Sequence, residues 1–216
     1  RNRAFLSGRF FHIIGEFSDY GSSFANAVKL KILMRMSNVQ DVKDQVAALI
    51  AENNFPTEDV QWSSCWSNSA GAYSPLYGED FAPGMQQNLI LNLALEATMA
   101  AYEDARLGVY FSTNGNGEYA GGVSGTNFST SANYKSDYWC RPNVAYNTPV
   151  SLISVAEVEF FLAEYEARYG SDAQAKAHYE NAINASFAAA GVEGAAAAIA
   201  AYDAGVTDVV ILEGDN

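Results

Sequence analysis

Large aromatic residues stand in a polar, turn-rich stretch of the chain between residues 60 and 85, and another lies in a similar stretch further on. A flat aromatic ring offers a sugar an apolar face on which its C–H groups stack, while neighbouring amides and carboxylates bond the hydroxyl groups. Loops also carry binding sites more often than the rigid elements that support them. Residues 60–85 and 109–150 are therefore the predicted ligand surface. Its candidate residues are Trp62, Trp66, Asn68, Tyr73, Tyr77, Asp80 and Trp139. For any single ring, the alternative is packing beneath the long loops.

The residue types that most often perform catalysis lack the required pattern. His12 and His178 are the two histidines of the chain, and both lie in predicted helices, where a packed or solvated imidazole is more common than a general base. No phosphate-binding loop, dinucleotide fingerprint or H-E-x-x-H motif occurs. A glycosidase needs two carboxylates about 5–10 Å apart across a cleft, but Glu157 and Glu159 point to different sides of a helix. The sequence thus predicts binding without catalysis and without a cofactor.

A calcium site is indicated only weakly, near the end of the sequence. Asp208, Glu213 and Asp215 offer the oxygen ligands that calcium prefers, yet their spacing is not that of an EF-hand loop. We favour a solvated acidic tail, and no metal site is predicted.

The charge of the chain restricts its partners. The formal net charge of −13 argues against nucleic acid, since phosphate contacts need clustered lysines and arginines. It argues less strongly against highly sulfated glycans, since a local basic patch could override the net charge. No run of about 20 apolar residues is present, so no membrane-spanning helix is predicted. Neutral sugars and peptides both remain as ligand classes.

Residues 151–187 predict two antiparallel helices that would support such loops. Ser154 with Glu157, and Ser171 with Gln174, have the spacing of a capping box at a helix start. Gly170 between them is expected to take the left-handed conformation that ends a helix. Such a pair is the unit of tetratricopeptide-type repeats.

Further apolar periodicity predicts a mainly α-helical fold with long aromatic loops and a few short strands. Residues 24–39 form a predicted helix with Ala25, Val28, Ile32 and Met36 inward, and residues 41–52 form its partner, with Val42, Val46 and Leu49 inward. The remaining predicted helices cover residues 4–20, 85–107 and 193–204, while 109–150 is predicted as short strands and loops.

Cys65 and Cys140 are the two cysteines of the chain. In an exported protein they could form a disulfide that contributes about 4 kcal/mol by loop-closure entropy. Two buried free thiols are the equal alternative.

Several segments in order resemble the SusD/RagB family. These are SLISVAEV at 151–158, FANAVKLKILMRM at 24–36, DARLGVYF at 104–111 and EYAGGVSG at 118–125, together with SPLY at 74–77. Ala105 stands where the family usually has proline. The resemblance implies a SusD-like helical fold, with an N-terminal helix over residues 1–21 and the SusD-like domain over 22–216.

The resemblance also implies a function and a location. Members are surface-exposed lipoproteins of the outer membrane, which bind oligosaccharides and deliver them to a SusC-like TonB-dependent transporter. A peptide ligand, a pure protein-interaction scaffold and a glycan hydrolase are the alternatives. The chain shows no lipidation cysteine near Arg1, and residues 21–23 join two helices that a long segment separates in the family. We therefore expect an incomplete chain, anchored to the membrane only through a lipid on a part not included here.

Overall fold

The computed structural model describes residues 21–63, 65–85, 88–125 and 138–204. These residues divide into two compact units. We call residues 21–61 and 151–186 the helical unit, and residues 62–150 and 187–204 the loop unit. The helix predicted over residues 4–20 and the acidic end at 205–216 lie outside the described residues, so the domain boundary at residue 21 stays a prediction.

The elements follow one another in this order. They are α1 (21–36), α2 (Lys43–Glu52), β1 (Val60–Trp62), α3 (Pro75–Asp80), α4 (Leu93–Ala101), α5 (Leu107–Tyr110), β2 (Val150–Ile153), α6 (Val155–Tyr169), α7 (Asp172–Ala190) and α8 (Ala195–Ala204). The two strands pair with each other. This confirms the prediction of a mainly α-helical fold with few strands. Among the described residues, no helix combines the length and apolar content needed to cross a bilayer.

The core of the helical unit is built from periodic apolar positions on α1, α2 and α6. Its buried residues are Ala27, Leu30, Leu33, Met34, Val42, Val46, Leu49, Ile153, Val158, Phe161, Leu162 and Tyr165. The inward face predicted for α2 is thus confirmed. A polar contact accompanies this packing. The Val155 N–H, one of the free donors at the start of α6, donates to Asp59 Oδ1 at 2.8 Å.

The inward face predicted for α1 is wrong. The helix buries Ala27, Leu30 and Met34, whereas the side chain of Ile32 is 52% exposed and Ala25 is exposed too. At about 100° per residue, the buried stripe lies on roughly the opposite side from the predicted one. Apolar residues line more than one side of α1, so periodicity alone did not determine which side is buried.

The paired caps of α6 and α7 are confirmed. The Glu157 N–H donates to Ser154 Oγ at 3.1 Å, and the Gln174 N–H donates to Ser171 Oγ at 3.3 Å. The Glu157 carboxylate does not return to Ser154; it lies 2.7 Å from Lys31 Nζ. The helix starts therefore follow the sequence pattern, but each box is only half formed, since the Ser171 N–H likewise donates to Glu166 and not to Gln174.

Gly170, between these helices, does not adopt the predicted left-handed conformation, since its φ is −111°. The reason for glycine here is space. A Cβ at this position would overlap Glu166 Oε2 and lie 3.1 Å from Glu166 Cα, so the Glu166 carboxylate would have to move. That carboxylate accepts the Ser171 N–H at 3.2 Å, so the absence of a side chain leaves room for the contact that joins the two helices.

The loop unit has a smaller apolar core, made of Leu91, Met99, Leu107 and Cys140, with Phe111 against it. The helix predicted over 85–107 is wrong at both ends, because α4 begins at Leu93 and ends at Ala101. Asn92 caps it, with Oδ1 accepting the Ala94 N–H at 2.8 Å. Just before that cap, the Leu91 N–H donates to the Cys140 carbonyl at 2.8 Å. Pairing with a distant segment has replaced helix formation here.

Candidate functional site

Trp62 and Trp66 form an exposed aromatic pair at the start of the loop unit. Their ring centres lie 5.1 Å apart with the planes tilted by 45°. Trp62 is 46% exposed, whereas Trp66 is partly buried. The Trp66 Nε1 atom is buried and finds no hydrogen-bond acceptor among the described residues. Trp66 thus supports the ring of Trp62, which presents its surface to solvent. Asn68, two residues beyond Trp66, is exposed.

A second group of rings, which we call the aromatic row, consists of Tyr73, Tyr77 and Phe81. Tyr73 and Tyr77 meet edge to face at 5.1 Å between ring centres. Tyr77 and Phe81 are nearly parallel, at 6.4 Å and 18°. The three residues are four positions apart in sequence, within α3 or directly beside it. This spacing places their rings on one side of the short helix. Both predicted tyrosines are partly buried.

Both ends of α3 are fastened to residues 141–146. At its start, the Ser74 N–H donates to the Tyr146 carbonyl at 2.7 Å. At its end, Arg141 Nη2 lies 2.7 Å from Asp80 Oδ2 and 3.2 Å from the Asp80 carbonyl oxygen. Ser74 and Asp80 are almost fully buried. The loop region 60–85 is therefore tied to the loop region 109–150 by specific polar contacts.

Asp80 does not have the ligand-binding geometry that we predicted for it. Its carboxylate accepts the Asn88 N–H at 2.7 Å and the Leu89 N–H at 3.0 Å in addition to pairing with Arg141. These partners occupy both oxygens, and the residue is only 4% exposed. Asp80 holds the loops in place and presents no hydrogen-bonding group to a ligand.

Trp139 lines a different cleft, of about 150 Å³. Asn88, Asn92 and Ser124 contribute amide and hydroxyl groups to its wall, and Asn92 Nδ2 donates to Ser124 Oγ. The structure therefore groups the predicted site residues into three sets: the tryptophan pair with Asn68 close by in sequence, the aromatic row, and Trp139 in its own cleft.

The two thiols are free, and only one of them is buried. Cys140 is fully buried; its thiol donates to the Glu118 carbonyl at 3.3 Å, and its sulfur accepts the Ala120 N–H at 3.1 Å. Cys65 is exposed. Neither alternative from the sequence matches fully: there is no disulfide, and one thiol meets solvent.

The DARL segment contains a buried ion pair. Arg106 Nε lies 2.9 Å from Asp104 Oδ1, and the Tyr202 hydroxyl donates to the other oxygen of Asp104 at 3.3 Å. Burial alone would raise the pKa of Asp104, but the hydrogen bonds and positive charge of Arg106 outweigh burial and lower that pKa. The guanidinium also lies over Phe187, 4.3 Å from the ring centre. This pair connects the α4–α5 turn to α8 beside a cleft of about 290 Å³, half of whose lining residues are alanines.

Glycine in the EYAGGVSG segment is explained by the close approach of two backbones. A Cβ on Gly121 would lie 2.6 Å from the Leu93 N and Cα atoms. The next residue, Gly122, exchanges backbone hydrogen bonds with both sides of Asn92, since its N–H donates to Leu91 and its carbonyl accepts from Leu93. A side chain at residue 121 would separate this loop from the start of α4.

Sequence reasoning missed several residues of the site. Arg141 was not singled out, although it is the sole arginine in the loop region 109–150 and stands beside the buried Cys140. Among the described residues of that region, Tyr110, Tyr119 and Tyr138 are also exposed aromatic residues and become further candidates. Within the described residues no cluster of histidine, cysteine and carboxylate groups is suited to a metal ion. The residues considered for calcium, Asp208, Glu213 and Asp215, lie outside the described part.

Comparison with known families identifies this arrangement. A SusD-like family model described as "Starch-binding associating with outer membrane" matches residues 20–209. The chain belongs to the SusD-like family. That description agrees with the outer-membrane location expected from the sequence and with a family of binding proteins. No curated protein matches the chain.

Solved structures of SusD homologues share the fold. One from Bacteroides uniformis aligns with a TM-score of 0.71 and 23% identity, covering 83% of this chain and 38% of that one. A chitin-binding SusD homologue from Flavobacterium johnsoniae aligns with a TM-score of 0.67 and 24% identity, covering 83% and 37%. A homologue from Bacteroides thetaiotaomicron gives 0.66 and 20%, covering 82% and 37%. The SusD-like chain thus spans less than half the length of these relatives.

Proposed function

We propose that this chain captures oligosaccharides at the aromatic surface of its loop unit. We further propose that the whole protein delivers them to a SusC-like TonB-dependent transporter in the outer membrane. The observation that carries the proposal is the tryptophan pair. Trp62 is nearly half exposed and is backed by Trp66 at 5.1 Å. An indole held by a second indole is already ordered before the ligand arrives, so binding costs little conformational entropy.

The chemistry around the pair suits a neutral sugar. Stacking uses the apolar face of Trp62, and the exposed amide of Asn68 is a donor and acceptor for hydroxyl groups. The net charge of −13 disfavours anionic glycans over neutral ones. The aromatic row and the cleft at Trp139 are further candidate contacts in the same unit.

The comparisons support a carbohydrate ligand. The family description names starch, and one relative with the same fold is described as chitin-binding. These two polymers differ in linkage and in shape, so they define the probes for the first experiment. Transporter delivery and lipid anchoring are inferred from the family resemblance of the sequence.

Calorimetric titration of the chain with a malto-oligosaccharide and with a chito-oligosaccharide tests the proposal. We expect binding to at least one of them, weakened about fivefold or more in the W62A/W66A variant, because each ring contact is worth on the order of 0.5–1.5 kcal/mol. Undiminished binding in a folded double variant would show that this pair is not the site.

The same preparation separates the alternatives. Release of reducing ends from the polysaccharides would indicate a hydrolase. No affinity for either sugar, with affinity for peptides, would favour a peptide-binding member of the family. Capture of the transporter by the full-length protein without any ligand affinity would favour a scaffold.

A further inference from the structure

Arg141 closes one end of the aromatic row. Its guanidinium carbon lies 4.3 Å from the centre of the Phe81 ring. Phe81 is stacked on Tyr77, and Tyr77 meets Tyr73 edge to face. A planar cation and three rings therefore form one continuous series of contacts within the loop unit. At the other end of that series are the two tyrosines predicted to contact a ligand.

The same guanidinium holds the end of the helix that carries the row. Arg141 Nη2 contacts both the carboxylate and the carbonyl of Asp80, the last residue of α3. A cation at this position also interacts favourably with the negative end of the helix dipole. Arg141 thus fixes the helix end through Asp80 and the adjacent ring through Phe81.

The helix has little stability of its own. At six residues, α3 is far shorter than the roughly 12–15 residues that an isolated helix needs to persist in water. Its position depends on contacts at its two ends, namely Ser74 with residues 145 and 146, and Asp80 with Arg141. Tyr77 lies between these two anchors, so its orientation follows from both.

Stacking is the feature of Arg141 that lysine cannot reproduce. Its Nε atom is buried without a hydrogen-bond acceptor among the described residues, so hydrogen bonding does not use the full capacity of the guanidinium. The flat face is used against Phe81 instead. A lysine would keep the charge beside Asp80 but lose the planar surface and the two-point contact with Asp80.

We infer that Arg141 is a positioning residue for the ligand surface: it orients Tyr73 and Tyr77 by clamping Asp80 and stacking on Phe81, without touching the ligand itself. This rests on the proposed function where binding is concerned. The orientation of the rings can be tested separately, without any ligand.

Replacing Arg141→Lys tests the inference with two readouts. Calorimetry with the malto- and chito-oligosaccharides is expected to show binding weakened about two- to tenfold, as for the loss of one well-placed aromatic contact. Proton spectra of tyrosine-labelled protein are expected to show shifted ring signals for Tyr77, whose stacking on Phe81 changes. The matched control is Arg168→Lys, in the helical unit, where the arginine pairs with Glu164 and Asn38; it should alter neither readout.

A double-variant comparison separates positioning from general damage. In a Y73A/Y77A background, R141K should cause no further loss of binding, while in a W62A background it should weaken binding by the same factor as in the wild type. An equal factor in both backgrounds, or unchanged Tyr77 signals together with unchanged binding, would overturn the inference.

Two outcomes need a second variant or readout. If R141K does not fold, the D80N/R141M variant removes both buried charges together and should give the same tyrosine shifts and the same loss of binding. If the wild-type chain binds neither sugar, the proposed function fails, and the tyrosine signals alone decide the positioning role. Unchanged signals in a folded variant would then contradict it.

Discussion

The helical unit and the loop unit are stabilised by different kinds of contact. In the helical unit, apolar side chains repeat along α1, α2 and α6 and meet in one large core. The loop unit has a core of four buried residues, and its order depends more on buried polar groups. Both buried carboxylates of the described chain, Asp80 and Asp104, lie there, each paired with an arginine.

This difference suits the proposed division of the chain into a scaffold and a ligand surface. Apolar packing is non-directional and tolerates many side chains of similar volume. Hydrogen bonds and ion pairs have fixed geometry, so they can hold irregular backbone, and rings such as Trp62 and Tyr77, in defined orientations. A ligand surface of loops needs the second kind of contact.

The largest effect is expected at a buried carboxylate of the loop unit. Asp104→Asn leaves the Arg106 charge without its partner and should destabilise the fold by about 3–5 kcal/mol. Denaturant unfolding measures this. The double variant D104N/R106M should recover most of the loss; if it is as unstable as D104N, charge burial is not the cause.

The same residue gives a pH dependence with a defined sign. The pKa of Asp104 is lower in the folded chain than in the unfolded one, so its stabilisation is present above the unfolded value, near 4, and disappears as the pH falls toward the folded value. Wild-type stability should decrease through that acidic window more steeply than that of D104N. Parallel curves would contradict this.

The next largest effect tests the helical unit and the corrected face of α1. Leu30→Ala should cost about 2–5 kcal/mol, because Leu30 is fully buried. Ile32→Ala, at a position 52% exposed, should cost well under half as much. Thermal or denaturant unfolding distinguishes the two variants. Equal losses would favour the face predicted from the sequence.

An intermediate effect is expected where two backbones of the loop unit meet. Gly121→Ala would place a Cβ 2.6 Å from Leu93 backbone atoms and should cost about 1–3 kcal/mol through the shift that it forces. Gly78→Ala, whose Cβ would meet only Tyr73 Cβ at 3.8 Å, is the matched control within α3. It should be neutral or slightly stabilising. Similar losses in both variants would argue against the backbone contact.

The smallest effect is expected at a helix cap of the helical unit. Ser154→Ala removes the acceptor for the Glu157 N–H and should cost about 1 kcal/mol. Ser171→Ala, with a longer hydrogen bond of 3.3 Å at an exposed site, should cost less. Unfolding curves of the two variants test the order, and a larger loss at Ser171 would reverse our ranking of the caps.

The sequence predicted what is local. The cap at Ser154, the inward face of α2 and the family segments all depend on residues close together in the chain, where spacing and structure are directly related. The buried side of α1 could not be predicted, because apolar residues occur around more than one side of that helix.

The candidate site depended on contacts distant in sequence. Asp80 was predicted as a ligand contact because it is a polar residue among aromatic residues in a loop. Its partner, Arg141, lies 61 residues away, so the local sequence carried no sign of the ion pair. Similarly, residues 88–92 continue the helical pattern, but their backbone pairs with residues around 122 and 140. Such polar pairings leave no periodic signal, so the sequence could not predict the contacts that hold the aromatic rings in place.

The central claim is that the loop unit, and not the helical unit, binds the ligand. Trp62 and Phe160 provide a matched comparison, since they are 46% and 44% exposed and lie in different units. Calorimetry of W62A and F160A with the same oligosaccharide tests the claim most directly. We predict affinity weakened about two- to tenfold for W62A and unchanged for F160A. A loss confined to F160A, or the same loss in both variants, would contradict it.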